Sequence, residues 1–508
     1  MLARLPGFLR RSIDAERAPE ALACRLAKRD ATFLDVVRRT IYARPASPYA
    51  RLLRHAGCEP GDLERLVERD GVEGALAAIL AAGVYLTVAE LRGERPARRG
   101  SLILEVDAGQ LGNPLIGWDL PMRTGGTGTA GLSFGWNLAF VRDRAVDLCL
   151  VEAAHGPGRR RHAMWTPPGS GAIVHLLDLC ARGSAPARWF SPVDPAVTEL
   201  PARYRWSVRL VREGGRLCGQ RLPAPAHVPA LAPDPVVDWM ADTLATGATP
   251  RLHARPSAVL RACEAAARRG VALDGAEVTV DGEPITAPRA LAMRRAGLRV
   301  LPRYAAAEVG LIGVACLTPR GPDDVHVLHD LVAVIQAPGP AAAGLPAGAF
   351  LVSSLRPTAP LILLNASMGD TGVLDDRPCG CPVSAPGWTT RARGIQRLDT
   401  LADEGPSLPF AAVARALDET LPRRFGGGPG DYQLVEDEAA DGARRLRLLV
   451  HPAVGPVDPR AVAEAFVAGL EGWPSGRAPA VERHAPLATG VGKILHLHRT
   501  RDGRARRE

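Results

Sequence analysis

From Ser101 onward, short apolar runs alternate with segments of helical periodicity, and few folds accommodate that alternation. Strands separated by helices build layered α/β sheets. Strands are expected at 101–106, 277–281, 298–302 and 311–316, with helices at 170–182, 257–269 and 287–296 and a loop at 303–308. Segments 325–337 and 349–355 read as strands of a smaller sheet, and the Pro/Ala/Gly-rich stretch 338–349 as a surface loop. The first hundred residues differ. There, 20–42, 47–57 and 61–83 carry apolar residues at three- and four-residue steps, the spacing by which a helix buries one face. A break around 391–406 precedes a compact α+β unit with helices at 408–420 and 458–471 and strands at 431–436, 445–451 and 481–485. A chain of 508 residues exceeds one small core. The expected division is therefore a helical region 1–100, a core 101–397 and a small domain 398–508.

Charge and composition narrow the function classes. A net charge of +9 suits small polyanions such as nucleotides. The basic residues are spread along the chain and aromatics reach only 5%, which argues against a nucleic-acid surface. The basic cluster at 499–507 reads as a solvated tail. No run approaches the 18 apolar residues of a membrane span, and the apolar, basic N-terminus lacks a long h-region and cleavage site. A cytoplasmic protein without membrane attachment is expected. Nine cysteines in so long a chain make no disulfide framework; only the spacing of Cys316, Cys379 and Cys381 is informative.

Only two of the 63 basic residues are lysines, Lys28 and Lys493. A lysine kept in an arginine-rich chain can do what a planar guanidinium cannot: enter a tight site as a compact point charge. Lys493 closes Thr489-Gly490-Val491-Gly492-Lys493. Far upstream, Thr124-Gly125-Gly126-Thr127-Gly128-Thr129 offers backbone amides and hydroxyls that can wrap phosphate oxygens, although it lacks the Gly-Lys-Ser/Thr ending of a Walker loop. Alone, such a loop is more often a surface turn.

In order along the chain come this loop, Gly282-Glu283-Pro284, Tyr304 through Glu308, Gly369-Asp370, Arg397-Leu398-Asp399 and Gly492-Lys493. The series resembles the adenylate-forming superfamily, specifically its phenylacetate–CoA ligase-like branch, over roughly 120–500. The resemblance implies a large layered adenylation domain followed by a small mobile α+β domain. It also implies ATP-dependent, AMP-forming activation of a carboxylic acid and transfer of the acyl group to CoA or to a phosphopantetheinyl carrier protein. By the same resemblance, Thr124, Gly125, Gly126, Thr127, Gly128 and Thr129 would hold pyrophosphate, and Glu308 would hold Mg²⁺. Asp370 and Arg397 would hold the ribose, Gly282 and Glu283 would border the adenine, and Tyr304 would stack on it. Lys493 would lie between carboxylate and α-phosphate, and Asp399 would be the hinge. Cys316, His326, Cys379 and Cys381 match a closed structural Zn²⁺ site, with His329 as a competing ligand. Oligomeric state stays open, a homodimer included.

Three positions depart from the branch's pattern. Thr129-Ala130 stands where a lysine is usual, Ala305-Ala306-Ala307 lacks the hydroxyl before the glutamate, and Asn365-Ala366 replaces an Arg-Tyr pair. Each removes a contact worth about 1–3 kcal/mol. A slow enzyme, an altered substrate or a non-catalytic nucleotide-binding relative are the readings this leaves. Trp136, Asn137, His162 and Trp165, with 303–313, are the candidate acyl pocket. The small side chains at 305–307 favour a flat, aromatic acid, whereas the apolar run 171–180 would suit a fatty acid.

Overall fold

The computed structural model describes residues 4–123, 132–194, 202–339, 344–376, 379–398, 410–438, 444–470, 473, 478–489 and 492–501. Among them, one 12-stranded sheet runs through the large part of the molecule. Its strands are β1 (Arg160–Trp165), β2 (Arg188–Ser191), β3 (Pro225–His227), β4 (Thr249–Ala254), β5 (Glu277–Val280) and β6 (Arg299–Ala306). They continue as β7 (Gly310–Ala315), β8 (Val325–Val327), β9 (Val332–Gln336), β10 (Ala349–Ser354), β11 (Ala366–Asp375) and β12 (Arg391–Arg397). The spatial order is β9-β10-β11-β12-β8-β7-β6-β5-β4-β1-β2-β3.

The sheet changes character at β6, which pairs parallel to β5 on one side and antiparallel to β7 on the other. From β6 to β3 every pairing is parallel, because helices such as α2 (Ser170–Ala181), α3 (Pro256–Arg269) and α4 (Ala287–Arg295) lie between successive strands and carry the chain back, while α1 (Leu138–Ala154) precedes β1. From β7 to β9 every pairing is antiparallel. The N-terminal helices Ala18–Ala27, Arg29–Val37, Pro48–His55 and Pro60–Ala81 cover this antiparallel half, with Leu22, Phe33 and Leu76 sharing a core with Val334, Phe350 and Leu364. Inside that layer Arg25 reaches Asp143, Asp147 and Asp330 at 2.9, 3.2 and 3.1 Å.

Several expectations need correction. Strands 325–337 and 349–355 do not make a separate smaller sheet. The first is two strands, β8 and β9, and all of them belong to the main sheet through β12. Residues 391–397 are strand rather than a break. The expected loop 303–308 is mostly strand too, since β6 runs to Ala306 with a bulge between Tyr304 and Ala305. Leu102–Leu104 forms only a hairpin with Ala97–Arg99, outside the main sheet.

The C-terminal part holds a four-stranded sheet of β13 (Tyr432–Glu438), β14 (Arg444–Val450), β15 (Ala480–Arg483) and β16 (Leu497–Arg501), in the order β15-β14-β13-β16. It packs with α5 (Pro459–Ala468) around Leu417, Leu434, Leu448 and Phe466, a core of its own. Buried ion pairs tie it to the large part. Asp418, fully buried, accepts from Arg289 of α4 at 2.9 Å, from the Thr286 hydroxyl at 2.7 Å and from His496 Nε2 at 2.7 Å. Arg261 of α3 meets Asp431 at 2.7 Å. No helix among the described residues is long and apolar enough to cross a membrane.

Candidate active site at the carboxyl ends of the parallel strands

In sheets of parallel strands, ligands gather where the strands end and the chain turns away. Here the ends of β4, β5 and β6 present Arg255, Asp281-Gly282-Glu283 and Ala307-Glu308. Lys493 enters from the C-terminal part. Its turn is set by Thr489, whose hydroxyl accepts from the Lys493 amide at 3.0 Å and whose own amide donates to the Lys493 carbonyl at 2.8 Å. A Cβ on Gly282 would stand 3.7 Å from Lys493 Cε and 3.8 Å from Nζ, so the ammonium lies directly over this glycine. Gly282 itself has φ +76°, a conformation that L side chains rarely adopt.

Charges surround the ammonium. Burial lowers the Lys493 pKa, Arg255 and Arg397 push the same way, and Glu283 and Asp281 oppose them. Glu308 sits within the field of Lys493 and Arg92, yet burial still raises its pKa. Among the described residues its carboxylate has no hydrogen-bond partner beyond its own backbone amide, which leaves a hard oxygen donor free for a cation.

Asp370 of β11 and Arg397 of β12 are direct cross-strand partners, so the two residues assigned to one sugar do face a common place. Tyr304 is held at both ends of its ring. Its hydroxyl donates to Asp370 Oδ2 at 3.0 Å, and its buried ring tilts against Phe350 with centroids 6.2 Å apart. Tyr304 thus orients Asp370, and burial with the neighbouring carboxylate drives its own pKa well up. Tyr304→Phe should cost about 1 kcal/mol, the worth of one such hydrogen bond. Thermal unfolding should show a loss of about that size.

Glu283 is fixed by three hydrogen bonds. Its carboxylate accepts from the Ser257 amide and hydroxyl at the start of α3, both at 2.9 Å, and from the Ile494 amide at 2.9 Å. It therefore clamps the residue after Lys493 to the large part. Trp165 and Asn137 leave the candidate acyl pocket. Trp165 is a core residue donating to the Val228 carbonyl at 2.8 Å, and Asn137 caps α1 through Phe140 at 2.8 Å. Trp136 backs the site instead, donating to the Ala307 carbonyl at 3.2 Å. Residues 124–129 and Asp399 lie outside the described residues.

The cysteine set does converge. The ligand atoms of Cys316, His326, Cys379 and Cys381 all lie within 4.8 Å of one another. Cys316 Sγ is 3.7 Å from Cys379 Sγ and 3.9 Å from Cys381 Sγ, while His326 Nε2 is 3.4 and 3.2 Å from the same two sulfurs. A tetrahedron with metal–sulfur bonds of about 2.3 Å has sulfur–sulfur edges of about 3.8 Å, so the set fits zinc. His326 Nδ1 donates to the Trp388 carbonyl at 2.8 Å, which turns the Nε2 lone pair toward the sulfurs. Burial raises the Cys379 thiol, but hydrogen bonds from the Cys381 amide and neighbouring thiols bring it down to about 6. His329 is no part of the set. Its Nε2 accepts from the Thr390 amide at 3.3 Å and its Nδ1 faces Glu73 at 3.9 Å.

No protein-family profile and no curated protein matches the chain. Solved structures do. A 2-hydroxyisobutyryl-CoA ligase in the postadenylation state, in complex with 2-HIB-AMP, superposes with a TM-score of 0.56 at 15% identity over 97% of this chain and 91% of that one. The same ligase in complex with R3-HIB-AMP gives 0.55 at 15% identity over 96% and 90%. The chain therefore has the fold of the adenylate-forming ligases.

Proposed function

We propose that this protein is an AMP-forming acid–thiol ligase of the phenylacetate–CoA ligase-like branch. The observation that carries the reading is the delivery of Lys493, from a separate C-terminal unit, onto Gly282 at the strand ends. In the first step a carboxylate oxygen of the acid attacks the α-phosphorus of ATP, and the bond to pyrophosphate breaks. In the second, a thiolate attacks the acyl carbonyl, the carbon–oxygen bond to AMP breaks, and AMP leaves. Charge builds at the α-phosphate during the first step, where a pre-placed ammonium lowers the barrier. Lys493 supplies it. Asp370, oriented by Tyr304, and Arg397 hold the ribose, Thr124–Thr129 the leaving pyrophosphate, and Asp399 is the hinge for the small domain.

Glu308 is the residue available to hold Mg²⁺, which would draw charge from the phosphates. Cys316, His326, Cys379 and Cys381 would hold a structural Zn²⁺, tying β7, β8 and the segment after β11 together; with four protein ligands such a site would be structural and take no part in the reaction. Metal analysis of the purified protein should give one zinc per chain, falling in Cys381→Ser together with thermal stability; a metal-free wild type as stable as the mutant would remove the site. The division 1–100, 101–397 and 398–508 goes with this reading, as does an aromatic acid accommodated beside Ala305–Ala307. CoA is the preferred acceptor. Acid-dependent AMP release should accelerate on adding CoA; acceleration only by a phosphopantetheinyl carrier protein would move the enzyme to the carrier-loading class.

A further inference from the structure

The face of the sheet beneath α2 contains a small cavity of unusual chemistry. It is lined by His162 of β1, Arg251 and His253 of β4, Thr279 of β5, Arg303 of β6, and His175, Leu179 and Arg182 from α2 and its end. Cross-strand register puts the strand residues on one face, since His162 pairs with Arg251, His253 with Thr279, and Thr279 with Leu301, two residues before Arg303. There is space for the centre of about one water-sized group, ≈ 10 Å³.

Most charges around the cavity are already matched. Arg251 lies 2.5 Å from Glu152 and from Glu277, Arg182 is 3.5 Å from Glu152, and Arg144 holds Asp178 at 2.9 Å. Arg303 forms no hydrogen bond or close ion pair with another described residue; Asp281, then Asp178, offset its charge from further away, and Asp281 also faces His253 Nε2 at 3.6 Å. Its guanidinium is pulled down to about 10, mainly by burial, and stays charged near neutrality. The histidines are neutral, because burial above all pushes His162 and His175 well down and His253 to about 4. His175 and His253 stack with centroids 3.9 Å apart, and the buried His253 Nδ1 lacks a hydrogen-bond partner. A half-buried guanidinium beside imidazoles with donors to offer is a receptor for a small anion.

Its location says which anion. Arg303 immediately precedes Tyr304, and Thr279 lies three residues before Gly282, over which Lys493 sits. Successive strand residues advance by about 3.3 Å, so Thr279 stands about 10 Å along the chain from Gly282, within the length of a short acid. We propose that it receives the distal carboxylate of the substrate, with Arg303 as counter-ion, and that the acid activated here is a short dicarboxylic acid, aliphatic or built on one ring. This rests on the acid–thiol ligase reading and adds a second anionic group to its substrate.

The test pairs each diacid with the monoacid that lacks the second carboxylate: succinate with butyrate, glutarate with valerate, the phthalate isomers with benzoate. Acid-dependent pyrophosphate exchange should favour at least one diacid over its partner by about 10²-fold or more in kcat/KM, as sites built around a polar group reject analogues without it. Arg303→Met and Arg303→Gln should bring that ratio to near unity, mostly through KM. Exchange that favours the monoacids, or a diacid preference unchanged in a folded Arg303 variant, overturns the inference and leaves the ligase reading intact. Calorimetry separates the other failure. If no acid supports exchange, yet the wild type binds a diacid and Arg303→Met does not, the cavity assignment holds and the ligase reading falls. If diacids bind no better than monoacids there as well, the inference is wrong. Should both variants fail to fold, the wild-type preference decides alone.

Discussion

Lys493→Arg, a change that keeps the charge, is expected to reduce acid-dependent pyrophosphate exchange by at least about 10²-fold, the loss typical when one transition-state-stabilising group is removed. The geometry explains why a mild substitution should be costly. Lys493 Cε and Nζ lie 3.7 and 3.8 Å from the place of a Gly282 Cβ, and a Cβ on Gly492 would stand 3.2 Å from Arg255 Nη1. Arg255 and Arg397 already repel the ammonium, so a larger planar cation would have to crowd against two guanidinium groups. Arginine keeps positive charge but cannot present it as a point. ATP binding, by contrast, should change only a few-fold. Lys28, exposed before the helix Arg29–Val37, is the control, and Lys28→Arg should exchange at the wild-type rate.

Asp418→Ala is expected to destabilise the docked C-terminal part by about 3–5 kcal/mol, the range for removing one partner of a buried pair. Arg289 and Asp418 are 1% and 0% exposed at the side chain, and His496 is 0% exposed. Truncation would strand a guanidinium, an imidazole and the Thr286 hydroxyl. His496 lies three residues beyond Lys493 and two beyond Ile494, which Glu283 holds, so undocking withdraws the ammonium. Exchange should fall by at least about 10², while the large part keeps its own thermal transition; a single unchanged transition with normal exchange would refute this role. Acid should act in the same direction. Arg289, His496 and Thr286 offset the burial of Asp418 and depress its pKa, so its contribution is present above the ordinary carboxylate range and is lost as pH falls through the docked value. Burial, then Arg289, lowers the His496 pKa, so below about pH 6.5 the undocked state takes up a proton that the docked state refuses. Docking should therefore weaken through His496 as pH drops below about 6.5, and through Asp418 only below the ordinary carboxylate range.

Much of this architecture was legible because it is local. Helical periodicity located Pro60–Ala81 and Pro256–Arg269, and β5 and α4 fall where strand and helix were expected. The order of glycines, acids and lysine led to the fold, and the Cys-x-Cys pair with Cys316 and His326 did assemble. What escaped is non-local. Tyr304 reads like a ring poised at a loop, but its place in β6 opposite Gly313, with its hydroxyl on Asp370, is decided by strand pairing across the sheet. The clamp that Glu283 makes is hidden in the sequence, because Ser257 and Ile494 come from distant segments. Asn365, a departure from the branch's pattern, adopts φ +50° and donates to the Leu76 and Val84 carbonyls, a use that only the packed N-terminal helices create. The Arg303 cavity draws on four strands and one helix, with no spacing signature in the chain.

The most direct measurement is pyrophosphate exchange by the purified wild type across a panel of aromatic acids, aliphatic acids and diacids, with Lys493→Arg assayed alongside. Acid-dependent exchange in the wild type, reduced at least about 10²-fold in the mutant, is the predicted result. Measurable ATP binding without exchange for any acid, or equal exchange in the two proteins, would contradict it.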